Sequence, residues 1–598
     1  MKIRRHYITL RRAYAHVQEG SAVEATTQEL AELLECTHRN MVMLLQRMQQ
    51  ENWLQWQPKR GRGNRSLLTF LAGSDALLLQ EAQELVHKQD LQGALAIVQS
   101  AQQSTSVQGR FQQWLTGQFG FHSEVQGNRR TDILRFPLPQ RIHSLDPAAI
   151  HYTSESHLVN QLFDGLVRMD AKGESILPHL AHAWDVDESR TLWTFYLRKG
   201  VLFHNGRELS SSDVKYSLER LRALAPSGLH GWVYAGIASM ETPDDTTIRI
   251  RLAERNEAFL AFLATNRAAI VPQNGCDPES GQFLGSPIGT GPFKLAGQEQ
   301  GVWVLEAFAP YFQGRAFLDR VEIWTVEGTT ERGLMEPELE SFQLMHNVRM
   351  SEAASEQWQQ VRQSGMTCKF ITVNELKHGP LANPAIRETI DEAISRERLL
   401  ELLSGDVIEE GDSFWPQQSA TASNVELNPA LTAANIRVRL AEAGYNGDML
   451  VLATIPQYEA DAALIQQVCA EAGVSIEITL IAAEQFKGKA RLEADLLLFA
   501  VMLDEHRELR LIDLYKSIQQ HMAPDMYATL GEQLQSILSE ADPQRRKALF
   551  LAIEDELKHS HSLMFLYRKH LKTAFHPSIR GISLESLGWV RFRDIWFT

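Results

Sequence analysis

The stretch from Thr26 to Leu71 leaves few folds open to the chain that carries it. It begins with TTQE, in which Thr26 can accept from the first helical turn while Glu29 reaches back, and Leu30, Leu33 and Leu34 then supply the buried stripe of a short helix. After Glu35 and Cys36, Thr37 is placed to cap another helix whose Met41, Leu44, Leu45 and Met48 recur at helical spacing. That spacing leaves His38, Arg39 and Asn40 in its first exposed turn. Then the period changes. Trp53-Leu54-Gln55-Trp56 reads as a strand, KRGRGN as a turn with two glycines, and Ser66 to Leu71 as the returning strand. Tyr7, Leu10, Tyr14 and Val17 place one more helix in front, near residues 5 to 18. Two helices around a tight turn followed by a hairpin predict a winged helix-turn-helix over residues 1–72.

Charge sharpens this reading. Residues 1–70 hold 11 Lys or Arg against 6 Asp or Glu; subtracting that +5 from the whole chain's −15 leaves −20 for the remainder. The head is therefore suited to a polyanion and the body is not. Double-stranded DNA is the expected partner: His38, Arg39 and Asn40 would meet base edges. Lys59, Arg60, Arg62, Asn64 and Arg65 on the hairpin would lie along phosphates, where neutralisation releases counterions and gives affinity without sequence information. The first twenty residues have cations but no apolar run of signal-peptide length, and no later stretch approaches a membrane span, so no membrane association and a cytoplasmic location are expected. Cys36, Cys276, Cys368 and Cys469 lie far apart, as free thiols in a reducing compartment would.

The segment THRNMVMLLQRMQQENWLQWQPKRGRGNRSLL resembles the N-terminal DNA-binding region of SgrR-type bacterial transcriptional regulators. Asn52 stands where that pattern often has glycine, and Asn64 where it often has lysine. The resemblance implies a solute-binding-protein-like domain further along. Between them, residues 73–128 are rich in Gln, Ala and Leu and read as a connector of two or three helices, which would serve either as a simple link or as the surface of a homodimer.

At 598 residues the chain exceeds what one core supports. From Thr131 onward strands and helices mix. Trp193, Phe195 and Leu197 alternate with polar neighbours, Asn205-Gly206 marks a turn, SSSDVKYSLERL opens a capped helix, and Ile248, Ile250 and Leu252 alternate with arginines. Gly289 and Gly291 in GTGPFKL lack phosphate-loop spacing and are expected to permit a close crossing of backbones. Asn383 and Pro384 open a later helix. Two helices that stop at Gly444 and Gly473, each before an apolar strand, predict a small α/β lobe with parallel pairing. WDVDESRTLWTFYLRKGVLFHNGRELSSSDVKYSLERL, SPIGTGPFKL and APYFQGRAFLDRVEIW are similar to family 5 extracellular solute-binding proteins, receptors for peptides, nickel chelates and related solutes. That resemblance implies a two-lobed, type II periplasmic-binding-protein-like α/β domain over 129–598. Lobe 1 would take about 129–370 plus 560–598 and lobe 2 about 371–559, with the tail GWVRFRDIWF returning to lobe 1.

A cleft between two lobes is the expected ligand site. Ser144, His151 and Tyr152 on one side, and Phe414, Trp415 and Asp504 on the other, are the candidate contacts. Peptide receptors of this family carry a Trp-x-x-Asp segment for the ligand amine near the position of Asp504, but here Met502 and Leu503 precede the aspartate and the tryptophan is missing. No enzymatic motif occurs, and His559 and His561 do not share a helical face, so neither catalysis, metal nor cofactor is expected. The expected function is a DNA-binding regulator sensing a sugar phosphate, peptide or other transported nutrient. The competing expectation is a transport-associated receptor that does not act on DNA.

Overall fold

The structure, a computed structural model, describes all residues except 1, 60–64, 101–104, 139–141, 151, 171–172, 227, 326–343, 347–358, 404–407, 416–431, 487, 576–577, 584–589 and 598. At the start of the chain, helices α1 (Lys2–Ala13), α2 (Thr27–Leu33) and α3 (His38–Gln50) alternate with strands β1 (Ala22–Ala25), β2 (Leu54–Gln57) and β3 (Ser66–Phe70). The capping box at Thr26 closes in both directions, with the Glu29 amide donating to Thr26 Oγ1 at 3.1 Å and the Thr26 amide to Glu29 Oε2 at 2.9 Å. Thr37 Oγ1 accepts from the Asn40 amide, so α3 starts where the sequence places it.

Two details differ from the sequence reading. The first helix stops at Ala13 rather than near residue 18, because Tyr14 turns to pack on Phe70, and the short AVEA segment becomes a strand antiparallel to β3, giving the order β1-β3-β2. Tyr7, Leu10, Leu30, Met41, Leu45, Met48, Leu54, Leu68 and Phe70 are fully or almost fully buried in one cluster. Tyr7 pins it: its hydroxyl lies 2.8 Å from Trp53 O and 2.6 Å from Ala72 O, joining α1 to both ends of the hairpin.

The connector forms three helices, α4 (Ser74–His87), α5 (Leu91–Ser100) and α6 (Thr105–Thr116). A bidentate Arg4–Glu84 pair, 2.6 Å in each arm, ties α4 to α1. The expected connector runs to 128, but residues 120–126 are already strand: β4 (Gly120–Gln126) turns through Gly127, whose φ of 62° suits glycine, into β5 (Arg129–Leu138). With β12 (Phe293–Glu299), β13 (Val302–Ala307) and β14 (Arg320–Thr325) they make a sheet of order β12-β13-β14-β5-β4, parallel at β14–β5. By packing, this first compact unit comprises Met1–Arg141, Leu295–Glu306 and Asp319–Gln343.

The second unit comprises Ile142–Lys294, Ala307–Leu318 and Leu344–Thr598. It begins with α7 (Thr153–Leu162), a ribbon of β6 (Val167–Met169) and β7 (Ile176–Pro178), and an antiparallel sheet. That sheet, β10-β11-β9-β8, contains β8 (Ala181–Val186), β9 (Leu192–Leu197), β10 (Ile237–Asp244) and β11 (Thr247–Leu252), with helix α8 (Ser211–Leu224) packed against β10 and β11. Trp193, Phe195, Leu197, Ile248, Ile250 and Leu252 all point inward, as their alternation requires.

A larger sheet takes β15 (Leu344–His346), β16 (Gln359–Val373), β17 (Ile408–Glu410), β18 (Leu450–Thr454), β19 (Ile476–Leu480), β20 (Leu496–Met502) and β21 (Leu563–Phe575). Its order is β15-β21-β16-β20-β18-β19, with β17 on β21. The pairing at β18–β19 and β18–β20 is parallel, as the helix-glycine-strand repeat predicts, while β16 runs antiparallel to both β20 and β21. The sheet therefore runs through the expected lobe borders: β16 crosses residue 370, and β21, placed by sequence in lobe 1, is paired along its length with β16. The tail forms a small ribbon of β22 (Ile579–Arg580) and β23 (Trp596–Phe597), and Arg593 meets Gln313 on the segment that follows β13.

GTGPFKL behaves as its glycines suggest. A Cβ on Gly289 would lie 2.1 Å from Leu162 O, and one on Gly291 2.4 Å from Leu162 C, so the end of α7 passes directly over this loop. Among the described residues no helix is long and apolar enough to cross a membrane.

Candidate nucleic-acid surface and ligand cavity

On α3 the buried positions 41, 44, 45 and 48 fix which face is left for solvent. His38, Arg39 and Asn40 are exposed in its first turn, as expected, and the same face continues through Val42, Met43, Gln46 and Arg47. The helix has no acidic residue, and its N-terminal amides add partial positive charge beside Arg39. Sequence reasoning missed the second half of this face. The signal was available, since a buried stripe at 41, 44, 45 and 48 turns 42, 43, 46 and 47 outward; Val42 and Met43 are 38% and 49% exposed, and apolar side chains contact the thymine methyl in major-groove readers.

The hairpin is less free than its charge suggests. Lys59 Nζ lies 3.3 Å from Glu24 Oε1, and Arg65 Nη2 lies 3.0 Å from Glu29 Oε2. Both pairs are about half exposed, so each contributes roughly 0–1 kcal/mol and is easily exchanged for a phosphate. Glu29 thus serves the α2 cap and the wing together. Arg60, Arg62 and Asn64 lie outside the described residues.

In the second unit a cavity of about 530 Å³ opens between α7, β6, the 264–269 turn, Tyr311 and Gln313, the tail arginines, and the start of helix Arg507–Gln519. Asp164, on its lining, is buried. Its oxygens meet His179 Nε2 at 2.7 Å, Thr290 Oγ1 at 2.8 Å and Tyr311 Oη at 3.1 Å. Burial alone would raise the Asp164 pKa, but the adjacent imidazole and these hydrogen bonds outweigh it and hold the carboxyl below its usual range. Burial together with Asp164 pushes the Tyr311 phenol well up. Five arginines stand on the wall, 168, 267, 510, 591 and 593, against three carboxylates, Asp164, Asp170 and Glu505. His230 and His506 also reach it. Burial lowers the His506 pKa to about 4, so that ring is neutral at pH 7.

The sequence-selected ligand residues divide. Tyr152 lines the cavity. Ser144 is not part of its lining: it sits in a loop whose amides are gathered by Glu155, and its hydroxyl accepts from the Asp146 amide. Phe414 is fully buried in the core, edge-on to Phe370 and Phe565 at 5.1 and 4.7 Å, and is not part of this cavity's lining. Trp415 packs on Phe550 beneath Arg507 and is likewise off the wall. Asp504 is buried and held by both arms of Arg510, Nε at 2.8 Å and Nη2 at 2.5 Å, so it is the arginine that faces the cavity. His151 lies outside the described residues. The four cysteines are free, and among the described residues no cluster of three His, Cys, Asp or Glu side chains is arranged to hold a metal.

Comparison with known proteins matches two separate stretches of the chain. Residues 175–514, more than half of the chain, match the family described as bacterial extracellular solute-binding proteins, family 5 Middle, and residues 2–120 match "Sugar transport-related sRNA regulator N-term". The "Uncharacterized protein YhjP" of Bacillus subtilis (strain 168) is 28% identical over 610 aligned positions, covering 100% of both chains. The HTH-type transcriptional regulator SgrR of Yersinia enterocolitica is 29% identical over 597, covering 97% of this chain and 96% of its own. Among solved structures, NikA from Brucella suis in complex with Fe(III)-EDTA superposes with a TM-score of 0.66 at 18% identity, over 78% of this chain and 100% of that one. The periplasmic binding protein DppA from Helicobacter pylori in complex with peptide STSA gives 0.64 at 21%, over 78% and 98%. The fold beyond the connector is thus that of a type II periplasmic binding protein.

Proposed function

From a chain that belongs to the family 5 bacterial extracellular solute-binding proteins and is of SgrR type, we propose a cytoplasmic, ligand-responsive transcription regulator that binds duplex DNA through α3 and the wing. The observation that carries this reading is the solvent face of α3, which presents Arg39, Asn40 and Arg47 without a single carboxylate in an otherwise acidic protein. Base-edge contacts fall to His38, Arg39 and Asn40. Phosphate contacts fall to the hairpin, where Lys59 and Arg65 exchange their glutamate partners for the backbone of DNA and Arg60, Arg62 and Asn64 join them.

The 530 Å³ cavity suits a small solute, such as a sugar phosphate, a short peptide or another transported nutrient. Ligand changes DNA affinity only if it binds one conformation of the chain better than another, and the coupling is then reciprocal. Selection of duplexes from a random pool by the full chain tests the reading. An enriched motif is expected, with Arg39→Ala altering the preferred bases at one position. Failure to enrich any duplex at low salt would leave the transport-type receptor as the better account.

A further inference from the structure

We propose that the cavity is built for an anionic solute, whose carboxylate or phosphate is held by Arg267 and Arg168, and that it does not anchor a peptide by its amino group. This deepens the ligand-sensing reading above and rests on it for its biological meaning.

The carboxylate charge around the cavity is already spent. An ammonium group needs an open carboxylate, and those at this end of the unit are engaged: Asp504 by the fork of Arg510, Asp164 by His179, Thr290 and Tyr311, Asp170 by the amide of Glu174, and Glu505 by the charge of Arg510. Two of the wall's five guanidiniums are the reverse case. Arg267 is only 8% exposed, and its two terminal nitrogens donate to the carbonyls of Ala148 and Ile150 at 2.7 Å each. Those bonds use two of its five N–H donors and neutralise no charge. Arg168 leaves a buried Nε without a hydrogen-bond partner. Among the described residues no carboxylate lies within ion-pair distance of either.

A buried cation whose hydrogen bonds go to carbonyl oxygens, with Asp146 and Asp513 attracting it only from beyond ion-pair distance, is costly unless an anion completes the site, and a bidentate carboxylate or phosphate is the group a guanidinium fork matches best. Tyr152, Asn160 and Asn266 on the same wall supply neutral polar partners for the rest of such a solute.

The test uses the full chain and follows its thermal midpoint and titration heat with inorganic phosphate, succinate, a hexose phosphate, the free hexose and tetra-alanine. Saturable stabilisation by the hexose phosphate or by succinate is expected, and the pair distinguishes a phosphate from a carboxylate ligand. The free hexose and tetra-alanine should give none. Arg168→Gln, on a partly exposed strand residue, and Arg267→Gln should each weaken the binding roughly tenfold or more. If the Arg267 variant does not fold, the Arg168 variant decides alone. Stabilisation by tetra-alanine or free hexose equal to that by the anions, anion binding unchanged in the folded variants, or no saturable anion binding at all would overturn the proposal. Retention of duplex DNA, measured on the same preparation, separates the two readings: anion binding without DNA binding sinks the regulator and keeps the site, and DNA binding without anion binding does the opposite.

Discussion

Substituting Gly289 by alanine tests how the sequence shapes the cavity floor. The added Cβ would sit 2.1 Å from Leu162 O, 2.6 Å from Phe163 Cδ1 and 2.9 Å from Leu162 C, so backbone at the end of α7 must move by about an ångström to reach an ordinary contact. Overpacking of this kind costs about 1–3 kcal/mol, and the upper end applies because the nearest obstructing atom, Leu162 O, is main chain rather than a swinging side chain. The damage would spread. The Gly289 carbonyl accepts from the His204 amide at 2.9 Å, and the next residue, Thr290, donates to Asp164. Gly285→Ala, whose Cβ would meet nothing within 4 Å, is the control and should stay within about 0.5 kcal/mol of wild type. Scanning calorimetry of both variants checks this, with a lower midpoint for the larger unit expected only for Gly289→Ala. Equal melting of the two variants would refute the close crossing of α7 over this loop.

Three other expectations follow from buried polar groups. Tyr7→Phe leaves the Trp53 and Ala72 carbonyls without their shared donor and should cost the winged-helix unit about 1–3 kcal/mol in urea unfolding followed by Trp fluorescence. Arg510→Met strips Asp504 of both its guanidinium bonds and should destabilise the larger unit by about 3–5 kcal/mol, with Asp504→Asn in the same chain restoring part of the loss. Burial lowers the pKa of His204 and His506 to about 4 and of His521 to about 3, from the ordinary 6.5. These rings fold neutral and the unfolded chain takes up their protons, so their stabilising contribution is complete above pH 6.5 and is lost as pH falls toward 4 for His204 and His506 and toward 3 for His521, at up to about 1.4 kcal/mol per pH unit for each. Urea midpoints that stay flat between pH 7 and 5 would contradict this.

The local half of the molecule was legible because its signals are local. The capping box at Thr26, the α3 stripe, the alternation of Trp193, Phe195 and Leu197, and the two glycine-terminated helices each occupy a few consecutive residues, and each matches an observed element. The site was not legible in this way. Asp164, His179, Thr290 and Tyr311 meet only because the chain crosses itself, and nothing near any of them announces the others. Phe414 looked like a loop aromatic because GDSFWPQ reads as a loop. Its ring nevertheless fills a core gap between Phe370 and Phe565 that only the sheet creates. Arg510 is six residues past Asp504, on the first turn of the next helix, so their pairing depends on the turn between them. Glu24 escaped notice because β1 itself did, and with it the partner of Lys59.

The regulator account stands or falls on the salt dependence of duplex binding by the full chain. Each neutralised phosphate adds about −0.9 to the slope of log affinity against log salt. A steep slope is predicted, reduced by about one unit in each of Lys59→Ala and Arg65→Ala, with relative preference among duplexes unchanged. A slope near zero, or one that both substitutions leave untouched, would contradict the placement of α3 and the wing on DNA.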